Sequence, residues 1–66
     1  MQITVNGEEQ VVTDDLTIHD LLGQLGKGSI PCAVEVNGSV VPKRQHDATL
    51  IAENDRIEIV TLVGGG

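Results

Sequence analysis

The chain predicts an α+β fold: a mixed β-sheet with one main helix packed across one of its faces. Three observations predict it. Asn6-Gly7 and Asn37-Gly38 each join short runs rich in β-branched residues, the strongest local signal for a tight hairpin. Ile18, Leu21, Leu22 and Leu25 recur at i, i+3, i+4 and i+7, one apolar stripe along a helix. The run Ile57 to Val63 reads as a final strand, with Ile57 and Ile59 inward and Glu58, Val60 and Leu62 outward.

Taken in order, MQITV alternates. Met1, Ile3 and Val5 share one face and Gln2 and Thr4 the other, which predicts a half-buried strand. After Asn6-Gly7 the strand returns over Glu9 to Val12. Thr17 is a helix cap, with Asp20 three residues on as a variant of the capping box. The helix runs about two to three turns, and Gly26 and Gly28 end it. Pro31 opens a third strand, Cys32 to Val36, with Val34 and Val36 inward and Cys32 of the same parity. Val40-Val41 is its short return, closed by Pro42. Lys43 to Ala48 reads as a polar connection, Leu50 and Ile51 as a small apolar plug, and Glu53-Asn54-Asp55 as a turn. The first and last strands should lie side by side in parallel at the centre. Residues 1–63 form the domain, and residues 64–66 a flexible glycine tail.

Composition narrows the function. The chain has 66 residues and no Phe, Tyr or Trp, so Val, Ile and Leu carry the core. A domain this small buries only about 60% of its unfolded surface and has little room for a deep pocket, which argues against an enzyme. The formal charge is −6, and Lys27, Lys43, Arg44 and Arg56 are too sparse for a nucleic-acid footprint. An acidic surface suits solubility or a basic protein partner. Cys32 is the single cysteine, so no internal disulfide forms. No run reaches the length of a membrane span, and MQITVNGEEQ lacks the regions of a signal peptide. A cytoplasmic location is expected.

The element order ββαβββ with a terminal diglycine resembles the ubiquitin-like β-grasp fold. More closely, the opening Met1-Gln2-Ile3, the helix start Thr17 to Leu22 (TIHDLL), the segment Val41-Pro42-Lys43 and the final Val-Gly-Gly-Gly are similar to the ThiS family. These are the bacterial sulfur carriers of thiamine biosynthesis. The likeness spans nearly the whole chain. Thr61, Leu62 and Val63 stand where ubiquitin-type modifiers place arginines. The small subunit of molybdopterin synthase shares the diglycine, but is typically longer and usually has aromatic residues. It remains an alternative of the same class. A ubiquitin-like protein modifier and a non-covalent β-grasp module with a passive tail are the others.

The tail's chemistry follows from its end group. A terminal carboxyl has a pKa of roughly 3.3 to 3.7, so at neutral pH it is an anion and a poor electrophile. Acyl adenylation by ATP makes it reactive, and sulfur from an enzyme-bound persulfide then yields a thiocarboxylate. Gly66 is the modified residue on this reading, and Gly64, Gly65 and Gly66 enter a partner's active site. Thr61 to Gly66, extended, reach roughly 20 Å. The resemblance implies an E1-like (ThiF-like) adenylating enzyme, which uses ATP, and a thiazole synthase (ThiG-like) as recipient. It also implies a sulfur donor such as a cysteine desulfurase persulfide. The chain itself is expected to bind no cofactor, metal, nucleic acid or membrane. Val60, Leu62 and Val63 form the expected docking patch; exposed β-branched residues without a partner are the plainer reading of the same side chains. Cys32 is read as a small packed apolar group. His19 and His46 stand at no known metal spacing.

Overall fold

The computed structural model describes residues 1–62. The expectations for Val63 and the Gly64–Gly66 tail lie outside the described residues. The elements are β1 (Gln2–Val5), β2 (Glu8–Val11), α1 (Ile18–Gln24), β3 (Cys32–Val36), β4 (Ser39–Val41), a short 3-10 helix (Lys43–Gln45) and β5 (Arg56–Thr61). The sheet order is β2-β1-β5-β3-β4, with β1 and β5 parallel at the centre and the other neighbours antiparallel. The expected fold and central strand pair are both present.

Both Asn-Gly turns take left-handed backbone at their two residues: φ is 49° and 84° at Asn6-Gly7, and 52° and 86° at Asn37-Gly38. Asparagine tolerates this region and glycine has no Cβ to clash there, so the two-residue hairpin closes without strain. The turn sets Glu8 opposite Val5. The return strand therefore begins one residue earlier than the Glu9 start expected.

The helix obeys its caps. Thr17 Oγ1 accepts from the Asp20 backbone N–H (3.0 Å), and an Asp20 carboxylate oxygen accepts from the Thr17 N–H (3.1 Å). Two more orphan donors are satisfied by the chain at 46–49: Ile18 N–H donates to the Thr49 carbonyl and His19 N–H to that of His46. At the other end Lys27 N–H bonds the Leu22 carbonyl and Gly26 N–H that of Gly23, a Schellman closure. Gly26, at φ 74°, is the terminator; Gly28 has no left-handed backbone and lies beyond it.

Ile18, Leu21 and Leu22 of α1 meet Ile3, Val5, Val34, Ile57 and Ile59 of the sheet in one buried cluster, completed by Leu16 and Ile51. Met1, Leu25, Cys32 and Val36 pack around it, half-buried. Leu16 was not foreseen. It precedes the Thr17 cap, and Leu21 stands four positions into the helix, the spacing of a hydrophobic staple.

Two further expectations need correction. Leu50 and Ile51 do not form a joint plug: Ile51 is buried, while Leu50 is 62% exposed. Leu50 bridges to Thr17 in extended backbone, and extended backbone sends consecutive side chains to opposite sides. The connection over 43–48 is not wholly polar surface either. His46 is only 6% exposed, and its Nε2 lies 3.0 Å from the Val41 carbonyl.

Candidate functional site

β5 has two faces with different work. Its inward residues, Ile57 and Ile59, are sealed into the core. Its outward residues alternate with them: Glu58, Val60 and, just past the strand, Leu62. Val60 is 60% exposed and Leu62 51%. The outward orientation expected for them holds.

Pairing extends this face beyond β5. Ala33 lies opposite Val60, and Val40 of β4 lies opposite Glu35. Both Ala33 and Val40 are exposed. Neither was foreseen, although once the Asn37-Gly38 turn fixes the hairpin register, strand parity places them with Val60. Glu35 stands directly opposite Glu58 across the β3–β5 ladder. Like charges so placed repel each other. The outer face is thus an apolar strip with a local surplus of negative charge beside it. Leu62 is held at its end, its N–H donating to the Pro31 carbonyl at 2.8 Å.

β5 is pinned in place by the two turn asparagines. The Asn6 side chain accepts from the Ile59 N–H (2.8 Å) and donates to the Ile59 carbonyl (3.2 Å). It continues the β1–β5 ladder after the β1 backbone has turned away. Asn37 Oδ1 accepts from the Arg56 N–H at 2.9 Å, and its Nδ2 donates to Asp55 Oδ1 at 2.9 Å. The sequence assigned both residues to turns alone.

Cys32, His19 and His46 come together after all, in the wall of one cavity of about 280 Å³. Cys32 is half-buried, with Sγ 3.3 Å from the Ile30 carbonyl oxygen. Among the described residues, no group of three or more His, Cys, Asp or Glu side chains is placed to hold a metal ion. No helix among them is long and apolar enough to cross a membrane. The proposed reactive residue, Gly66, and its neighbours Gly64, Gly65 and Val63 lie beyond what the structure describes.

Comparison with known proteins agrees with this arrangement. The family model described as "ThiS family" matches residues 1–66. The sulfur carrier protein ThiS of Escherichia coli (strain K12) is 29% identical over 66 residues, covering all of both chains. A thiazole synthase of Paramagnetospirillum magneticum is 39% identical over 66 residues; the match covers all of this chain and 20% of that protein's length. Among solved structures, the crystal structure of a thiamine biosynthesis protein (ThiS) from Geobacter metallireducens superposes with a TM-score of 0.85 at 33% identity, covering both chains completely.

Proposed function

The chain belongs to the ThiS family, and on that premise we propose that it is a sulfur carrier for thiazole formation in thiamine biosynthesis, a protein substrate and not an enzyme. The observation that carries this reading is the family match along all 66 residues, Gly-Gly-Gly included. The Gly66 carboxylate attacks the α-phosphorus of ATP in an E1-like adenylating enzyme, and pyrophosphate leaves. The terminal sulfur of a persulfide then attacks the acyl carbon and AMP leaves. A second thiol cleaves the resulting S–S bond, becoming oxidised to a disulfide as the thiocarboxylate is released. The ATP requirement fits a cytoplasmic setting.

The outer face of the sheet supports the docking step. Val60, Leu62, Ala33 and Val40 offer apolar contact, and Glu35 and Glu58 suit a cationic group on the adenylating enzyme. A thiazole synthase that contains a stretch similar to this whole chain supports thiazole synthase as the recipient.

The test uses two variants: deletion of Gly66, and addition of one alanine after it. Deletion shortens the reach by about 3.5 Å, and a misplacement of about 1 Å can cost on the order of 100-fold in rate. Both should melt like the parent, lose ATP–pyrophosphate exchange with the adenylating enzyme, and show no sulfur-for-oxygen mass gain. The reading fails if the extended protein, its alanine still attached, supports thiazole formation at the parental rate.

A further inference from the structure

Three of the chain's four lysines and arginines, Lys27, Lys43 and Arg44, line the cavity that also holds Cys32. They come from the loop after α1 and from the 3-10 helix, about 16 residues apart in sequence, so their apparent sparseness along the chain hides a cluster in space. Both histidines share the wall. On a protein of formal charge −6, this is a local reversal of sign.

The cluster is not neutralised from within. Among the described residues, no carboxylate lies within 4.0 Å of Lys27, Lys43 or Arg44. Asp47 is the one acidic residue in the wall and makes no such pair. Lys27 is half-buried, while Lys43 and Arg44 are exposed. One imidazole nitrogen of His46 is already engaged by the Val41 carbonyl, which holds the ring in place in the cavity wall.

We propose that this cavity binds a small phosphate-bearing anion, either inorganic phosphate or a phosphate monoester. A phosphoryl dianion carries close to two charges and three acceptor oxygens at neutral pH. It can take the planar fork of Arg44 on two oxygens while the two ammonium groups approach as point charges. A single carboxylate has one charge and two oxygens and satisfies fewer of these donors. A cavity of about 280 Å³ admits a phosphoryl group with a few carbons, near the lower end of small-molecule sites. The site needs no sulfur chemistry. It abuts the place where β5 leaves the sheet, because Cys32 pairs with Thr61.

The experiment is a ¹H–¹⁵N NMR titration of the full chain, in low-salt chloride buffer, with inorganic phosphate, glycerol phosphate and acetate in separate arms. The expected result is saturable shifts at amides around Lys27 and Lys43–Asp47 with one or both phosphates. Inorganic phosphate alone marks free phosphate as the ligand; tighter binding of glycerol phosphate marks a monoester. Lys27→Gln and Arg44→Gln should each weaken binding about 10-fold, the loss of one charge-assisted hydrogen bond. Arg56→Gln, which removes the one lysine or arginine outside the cavity, should leave it unchanged. Non-saturating or scattered shifts would overturn the proposal. So would an equal loss in Arg56→Gln, which would mark general charge attraction, or equal saturation by acetate.

Discussion

Asn6 and Asn37 carry more than their turns. Each side chain bonds backbone groups of β5, Asn6 those of the buried Ile59 and Asn37 that of the exposed Arg56. Asn6→Ala keeps the chain length but strands the Ile59 N–H and places a Cβ-bearing residue of lower left-handed tolerance at φ 49°. It should cost about 2 kcal/mol in urea unfolding, and Asn37→Ala about half that, since water can replace its bonds. Equal, negligible losses would show that the turns alone matter. The Asp20 carboxyl sits below its ordinary value of 3.8. The hydrogen bond from the Thr17 backbone is the largest cause and that from the Thr17 side chain the next; slight burial opposes them, and His19 adds a smaller attraction. A lowered folded-state pKa stabilises the fold above 3.8, and that contribution is lost as pH falls from there through the depressed value. The stability gap between parent and Asp20→Asn should therefore be present at neutral pH and shrink below pH 3.8. Denaturation series across the acid range read this directly.

At the scale of elements, β5 separates core from exposed surface by parity. Ile57 and Ile59 face the core, so truncation there costs roughly 2–5 kcal/mol. Val60→Asp and Leu62→Asp touch only the outer face. Both should fold with a melting temperature near the parent's, yet bind the adenylating enzyme at least about 10-fold more weakly, as expected for a charge in a desolvated contact. Calorimetric titration against that enzyme checks it. Val60→Asp should be the more harmful, because Val60 lies within the strand opposite Ala33, inside the apolar strip, whereas Leu62 lies just past the strand's end. Parental affinity in both variants would mean that docking uses another face. Cys32→Ser, on the neighbouring strand, places a hydroxyl in a half-buried site at the core's margin. It should lower stability modestly while sulfur loading, followed by intact mass, continues.

Across the whole molecule, strength should fall from the centre of the sheet outward. β5 is flanked by β1 and β3, whereas β2 and β4 each have one neighbour. Amides of β5 are expected to exchange slowest with solvent, and those of β2 and β4 fastest, because edge strands open without breaking the core. Protection highest in the β3–β4 hairpin would contradict this order. The parallel β1–β5 pair joins the two ends of the chain, so the segment that leads toward Gly66 leaves from the most firmly held strand. On the proposed mechanism, in which the last residues enter a partner's site, such an anchor resists the pull.

The sequence by itself determined what depends on near neighbours. Both turns, the helix caps, the inward and outward parity of β5 and the family resemblance rest on residue type at fixed spacing, and local backbone sterics and hydrogen bonding enforce those spacings over any stretch of chain. Only the tertiary structure decided the rest. His46 is buried because the Val41 carbonyl and the start of α1 receive its ring and backbone. Leu50 faces water because Thr17 bridges to it. Asn6 reaches Ile59 across 53 positions, and Lys27 meets Lys43 and Arg44 in one cavity. Apart from His46 with Val41, five positions away, these contacts join segments far apart in sequence. Their partners are chosen by how the helix and sheet pack, which no local pattern of residues encodes.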